Sequence, residues 1–248
     1  MSNSLKARLF GALFGSSLLA LFMIVLRPYD PLCLPVSFLG GIIGIILGAL
    51  INNIYLNRQK SLFHSIKEFR DLDFFRDKED ISDEKLAEMI NEEHFDLFGE
   101  EINPQGPFSD LLLLAYDKNR VWWEDTEADV LNGNNVYIEF MNDLSRISMG
   151  VFSPSEISES WVTDEGPIAI EFKLGGEKIS INPKYIDDYI DVEIISDINK
   201  LIPSEKKFEL YKPFDQTAFI LMLSKNEKIQ LQKKRGWEFF PFEMMENR

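Results

Sequence analysis

The segment IAIEFKLGGEKISI, residues 168–181, alternates apolar and polar residues on both sides of a Gly-Gly pair. A period of two is typical of a strand with one buried face, and a two-residue Gly-Gly loop is typical of a tight hairpin turn. Such a turn places Phe172 opposite Ile179 on the face that is to be buried. It places Ile170 opposite Ile181 on the same face. The segment therefore predicts a β-hairpin whose register is set by its turn.

Further strands are predicted on both sides of this hairpin. Residues 158–162 precede it as a third expected strand, and two further strands are expected after it over 207–211 and 218–223. Strands that cluster around a hairpin, rather than alternating regularly with helices, favour an antiparallel arrangement. The sequence thus predicts an α+β domain with one mostly antiparallel sheet and flanking helices.

Helices are predicted from caps and from apolar residues at helical spacing. Ser82 has the pattern of an N-cap, and the helix after it is expected to end near Gly99. A second helix is expected over residues 136–149, within a region, 108–152, that we interpret as mainly helical. A third helix is expected from an apolar stripe that ends before Pro203. A capping-box pattern at Ser224 predicts the start of a last helix.

Two apolar stretches near the amino terminus, residues 9–26 and 36–55, predict a transmembrane helical hairpin. Neither contains a charged residue, and each is long enough to cross a hydrocarbon core of about 30 Å. The predicted organisation is a membrane hairpin over 1–57, a juxtamembrane segment and linker over 58–81, and a cytoplasmic α+β domain over 82–248. A cleaved signal peptide is the alternative interpretation of the first stretch.

The basic residues set the expected orientation. Lys6 and Arg8 precede the first stretch and Arg58 and Lys60 follow the second, which places both termini in the cytoplasm. The predicted location is therefore the bacterial inner membrane, with a multi-pass topology and the lipid bilayer as a partner. A single cysteine, Cys33, cannot form an internal disulfide, which agrees with a large domain on the reducing side.

Small residues recur at helical spacing in both apolar stretches. They are Gly11, Gly15, Gly40, Gly44 and Gly48. Such faces allow helices to approach closely. Two interpretations stay open: the faces pack on each other inside one hairpin, or they form the seam of a homo-oligomer.

The charge of the chain restricts its partners. It has 41 acidic and 26 basic residues, with a net charge of −15. Binding to a nucleic-acid backbone requires clustered Lys and Arg, so nucleic acid is not expected as a partner. A basic protein partner is compatible with this charge.

Motifs of the common catalytic and cofactor sites are not found in the sequence. It has no nucleophile elbow, phosphate loop, zinc-protease motif or Cys-x-x-Cys pair. The two histidines leave few candidates for acid–base catalysis. We therefore expect no catalytic, cofactor-binding or metal-binding residue, and we interpret the chain as a binding protein rather than an enzyme, although catalysis is left open.

Two acidic clusters adjoin large aromatic residues and are the candidate partner-binding sites. Aromatic anchors with a charged rim are typical of protein interfaces, whereas a solvated face over core aromatics is the alternative. The candidate residues are Trp122, Trp123, Glu124, Asp125, Glu127, Asp129, Asp187 and Asp188.

Four motifs together resemble those of small acidic α/β modules of uncharacterised bacterial proteins: Trp122-Trp123-Glu124-Asp125-Thr126-Glu127, Gly175-Gly176, Asp215-Gln216-Thr217-Ala218-Phe219 and Arg235-Gly236-Trp237. These modules include immunity proteins of toxin competition loci. The resemblance covers about half of the chain and implies a module that blocks a partner by surface complementarity. It carries over no catalytic residue, and the amino-terminal apolar stretches depart from the usual soluble immunity protein.

The predicted function is a membrane-anchored bacterial protein with a cytoplasmic protein-interaction domain of immunity or regulatory type. The alternative is a two-helix effector that perturbs the membrane under the control of a cytoplasmic sensor domain. The first interpretation depends on the acidic clusters, and the second depends on the glycine faces.

Overall fold

The computed structural model describes residues 61–103, 107–212 and 216–240, and those from Ser65 onward belong to one compact unit. The helices after a first helical segment, 61–70, are Asp83–Phe98 (α1), Pro107–Leu114 (α2), Val136–Ile147 (α3), Ile194–Leu201 (α4) and Lys225–Gln230 (α5). The strands are Val121–Asp125 (β1), Ser155–Trp161 (β2), Ile168–Leu174 (β3), Glu177–Ile181 (β4), Lys206–Leu210 (β5) and Thr217–Ser224 (β6). A short 3-10 helix lies at Arg76–Lys78, and a short π-helix lies at Leu231–Arg235.

The strands form two antiparallel sheets of three strands each, in the orders β1-β6-β5 and β2-β3-β4. The structure is therefore α+β with antiparallel sheets. The predicted single sheet is wrong, because sequence periodicity gives the faces of a strand but does not say which strands share hydrogen bonds.

The hairpin register predicted from the Gly-Gly turn is confirmed. Phe172 lies opposite Ile179 and Ile170 lies opposite Ile181. The two turn residues have positive φ values, 60° at Gly175 and 91° at Gly176. Glycine adopts this region without the steric penalty that a Cβ atom brings, so the turn is encoded locally.

The predicted helix caps are confirmed as well. Ser82 Oγ accepts a hydrogen bond from the Lys85 N–H at 3.3 Å, and Gly99 ends α1 in the left-handed conformation. Ser224 and Glu227 form a reciprocal capping box at the start of α5. These signals involve residues within four positions of each other, which is why the sequence alone reveals them.

Both sheets cover one hydrophobic core, and Phe152 lies where they meet. Its ring is edge-on to Phe172 of β3 at 6.1 Å and to Phe208 of β5 at 5.8 Å between centroids. Helices α3 and α4 close the same core with Phe140, Leu144 and Ile195 among their buried residues. One apolar cluster thus holds both sheets.

The region 108–152 is less helical than predicted. Its centre is strand β1, which pairs antiparallel with β6 so that Val121 lies opposite Leu221. Val and Trp favour strands, but the partner strand is about a hundred residues further along the chain. The predicted helix over 136–149 is present as α3, and it ends at Ile147.

No helix among residues 61–103, 107–212 and 216–240 is long and apolar enough to cross a membrane. On this finding the transmembrane part of the predicted fold class is wrong, and so is the predicted multi-pass location in the inner membrane. Crossing needs about 20 apolar residues, whereas the longest helix given above, α1, has 16 residues with charges throughout.

The two stretches behind that prediction, 9–26 and 36–55, lie outside the described residues. The same holds for the glycines in them, Gly11, Gly15, Gly40, Gly44 and Gly48. The bilayer and the homo-oligomer as partners rest on these residues and stay predictions.

Residues 65–81, which fall in the predicted linker, are tied to the rest of the compact unit by buried charges. Asp117 accepts a hydrogen bond from the Phe75 N–H at 2.6 Å. Arg120 donates to the Asp73 carbonyl at 2.9 Å and to the Met222 carbonyl at 3.3 Å. Burial raises the pKa of Asp117 and lowers the pKa of Arg120. Because unpaired buried charges are costly, these bonds hold the segment against β6.

We expect Ile170→Asp to unfold the domain or to destabilise it by about 3 kcal/mol or more, because it places an unpaired carboxylate in the core between the sheets. Ser160→Asp introduces the same side chain at an exposed position of β2 and should cost less than about 1 kcal/mol. Urea unfolding followed by circular dichroism measures both. Equal midpoints for the two variants would contradict the assigned buried face.

Candidate functional site

The chain that leaves β1 pairs with the chain ahead of α4, and this pairing joins the two acidic clusters. The Ala128 N–H donates to the Asp188 carbonyl at 2.9 Å, and the Ile190 N–H donates to the Thr126 carbonyl at 2.8 Å. The clusters are about 60 residues apart in sequence. We call their exposed carboxylates the acidic edge: Glu124, Asp125, Glu127, Asp129 and Asp187.

Side-chain hydrogen bonds hold the middle of the acidic edge. Gln216 Nε2 donates to Glu127 Oε2 and to the Tyr189 hydroxyl oxygen, each at 2.6 Å. Asp125 Oδ1 accepts from the Glu127 N–H at 3.0 Å. The Gln216 carbonyl in turn accepts from the Thr126 N–H at 2.8 Å. The edge is therefore built on paired backbone rather than on a free loop.

The remainder of the second acidic cluster has a structural role. Asp191 is buried, and its carboxylate accepts from the Lys184 N–H at 2.8 Å and from the Glu193 N–H at 3.0 Å. Burial raises its pKa, and these two bonds oppose the shift. Asp188 is half-buried, and its carbonyl takes part in the pairing described above. Of the two predicted residues in this cluster, Asp187 is the one exposed on the edge.

The two predicted tryptophans lie on opposite faces of β1. Trp122 is 4 % exposed, its ring lies 4.9 Å from that of Phe140, and its Nε1 donates to Asp143 Oδ2 at 3.1 Å. Trp123 faces the other way and packs edge-on against Phe219 at 5.6 Å. Successive strand residues alternate between faces, so the Trp122 side chain lies in the core and the Trp123 side chain lies on the opposite face, towards the surface.

An apolar groove of about 450 Å³ lies between α1 and β1. We call it the α1–β1 groove. The residues that define it are His94, Leu97 and Phe98 of α1, Leu112, Ala115 and Tyr116 in and after α2, and Trp123, Glu124 and Asp125 of β1. Leu97 and Phe98 are each 65 % exposed. The groove and the acidic edge share Glu124 and Asp125, so the two features form one continuous surface.

A neutral polar pair lies in the groove. His94 is 3 % exposed, and its Nδ1 is 3.2 Å from the Tyr116 hydroxyl oxygen. Burial lowers the pKa of His94, against the opposing charge of Glu100. Burial, aided by Glu93, raises the pKa of Tyr116 to about 12. Both groups are therefore uncharged at neutral pH, and the pair fixes the ring positions without adding charge to the groove.

The rim of the groove is acidic. Glu93, Glu124 and Asp125 line it, with Lys118 as the opposing charge. Within the described ranges, groups of three or more His, Cys, Asp or Glu that could hold a metal ion are not found. The carboxylates of the edge thus extend along a surface instead of converging on one point.

The sequence prediction included Trp123 and the acidic residues that lie on this surface, but it did not include the exposed apolar side chains at the carboxyl end of α1. Leu97 continues the apolar stripe of Leu86, Ile90 and His94 along α1, and such a stripe favours burial. The structure leaves it exposed because the stripe extends beyond the part of α1 that packs on the domain. Gln216 and Tyr189 were not linked to Glu127 either, since their contact depends on the tertiary pairing alone.

We expect the imidazole of His94 to titrate below its ordinary pKa of 6.5, because burial disfavours the charged form. As the pH falls, this imidazole is protonated in the unfolded chain before it is protonated in the folded one. The free energy of unfolding should therefore decrease as the pH drops below 6.5, until the pH has passed the folded-state pKa. A pH titration of the imidazole resonances by NMR measures this, with His94→Gln assigning the signal. A midpoint at or above 6.5 would contradict the buried neutral pair.

In comparisons with known proteins, no family model, curated protein or solved structure matches the chain. The resemblance to immunity modules therefore stays a prediction.

Proposed function

We propose that the chain is a protein-binding module that holds a basic segment of a partner protein on the acidic edge. The observation that carries this proposal is the pairing of 126–130 with 188–190, which turns two separate acidic clusters into one exposed row of carboxylates. The module is of immunity or regulatory type, in that it acts by occupying the partner's surface.

Charge complementarity supports this function in a specific way. A single exposed ion pair contributes only about 0.2–1 kcal/mol, so affinity requires several carboxylates that act together. A row of like charges also accelerates association with an oppositely charged partner. The backbone hydrogen bonds beneath the edge keep these carboxylates close together although they repel each other. A basic partner relieves this repulsion when it binds.

We expect the triple variant Glu124→Gln, Asp125→Asn and Glu127→Gln to fold normally and to bind its partner less tightly. Each replacement keeps an oxygen that can accept the local hydrogen bonds, and exposed substitutions usually change stability by less than about 0.5 kcal/mol. Affinity capture from the native host, followed by binding kinetics with the captured partner, measures the effect. Association should slow and become less sensitive to salt.

The matched control is Glu84→Gln, Glu177→Gln and Glu205→Gln, which changes the net charge equally at exposed sites away from the edge. This control should bind like the parent protein. If the edge variant and the control recover the same partner with equal association rates at low and moderate salt, the edge is only a solvated face and the proposed function is wrong.

A further inference from the structure

We propose, on the basis of the proposed function, that the α1–β1 groove receives an apolar side chain of the same basic segment. The occupant is a short stretch of the partner in which one or two apolar residues are flanked by Lys or Arg. The apolar residues enter the groove while the flanking cations lie on the acidic edge.

The apolar surface in and beside the groove is the first support. Leu97, Phe98 and Phe108 are 65 %, 65 % and 53 % exposed, and the Phe108 ring packs edge-on against Trp123 at 6.4 Å. Large apolar side chains gathered beside a polar rim are typical of an interaction site. The volume of about 450 Å³ falls within the range of about 300–1,000 Å³ of ligand-binding clefts.

The charge around the groove selects the chemistry of the occupant. Glu93, Glu124 and Asp125 outnumber Lys118 on the rim. Helix α1 also ends beside it at Gly99, and the carboxyl end of a helix attracts cations. An acidic segment or an anionic surface is repelled here, whereas a segment with flanking Lys or Arg is attracted.

The walls of the groove are held in place before any partner arrives. The Trp123 ring makes edge-on contacts with the rings of both Phe108 and Phe219. His94 contacts Tyr116 on one side, and its ring lies 4.7 Å from the Phe98 ring on the other. Rigid aromatic walls lower the entropy cost of binding. Because Glu124 and Asp125 belong both to the groove and to the edge, one short segment can reach both.

Three capped, fluorescein-labelled peptides test the inference on the full chain. The first is Lys-Arg-Leu-Phe-Lys-Arg, the second replaces Leu-Phe by Ala-Ala, and the third replaces the four cations by Glu and Asp. Fluorescence anisotropy at low salt measures affinity, and the imidazole resonances of His94 report occupancy of the groove. We expect the first peptide to bind at least tenfold more tightly than the second and to shift the His94 signals.

Variants of the protein locate the apolar contact. Leu97→Ser with Phe98→Ser should lower the affinity for the Leu-Phe peptide to that for the Ala-Ala peptide. Val162→Ser removes a side chain that is 77 % exposed away from the groove and should change nothing. Ala115→Phe fills the groove from within, and we expect it to abolish the His94 shift.

The outcomes separate the two proposals. Equal binding of both basic peptides, with loss in the edge variant and no His94 shift, overturns the groove inference and leaves the proposed function standing. Equal binding of the basic and acidic Leu-Phe peptides, with a shift of the His94 resonances, would show that the groove binds apolar side chains. It would contradict the proposal that the partner segment is basic. No His94 shift and no anisotropy change with any peptide, up to millimolar concentration, overturns the inference altogether.

Discussion

One hydrophobic core under both sheets is the constraint on which the rest of the fold depends. Neither three-stranded sheet can bury its apolar face alone, and Phe152 fills the place where β3 and β5 approach each other. Aromatic pairs in such edge-on arrangements add about 0.5–1.5 kcal/mol beyond the area they bury. Because the sheets share this core, the loops that leave them have fixed positions relative to each other.

The acidic edge is a consequence of that arrangement. The chain leaving β1 belongs to one sheet and the chain leaving β4 belongs to the other, and the shared core brings them close enough to exchange backbone hydrogen bonds. The paired backbone then presents Glu127 beside Tyr189, with Gln216 donating to both. A surface of like charges is stable here because hydrogen bonds of the paired backbone and the shared apolar core, rather than the charges themselves, hold it together.

The groove depends on a second set of interactions, which positions α2. Arg235 donates to both carboxylate oxygens of Asp110, to Glu68 Oε2 and to Ser65 Oγ, and Trp237 Nε1 also donates to Asp110. Charged groups with several hydrogen bonds each are the form in which buried ion pairs are tolerated. This network fixes α2, which carries Leu112 into the groove, against the segment that contains Arg235 and Trp237.

The sequence by itself determined the elements whose signals are local. The Gly-Gly turn sets the register of β3 and β4, Ser82 and Ser224 cap their helices, and the composition sets the acidic character of the chain. The turn and the two caps depend on residues a few positions apart, whose conformational preferences are already present in the unfolded chain.

Only the tertiary structure decided how these elements combine. It paired β1 with β6 where the sequence suggested helix, divided six strands between two sheets, and separated Trp122 from Trp123 by the faces of one strand. It also joined two distant acidic clusters and left Leu97 and Phe98 exposed beside them. These outcomes are non-local because each is selected by the burial of apolar surface over the whole domain, a free energy that no short segment contains.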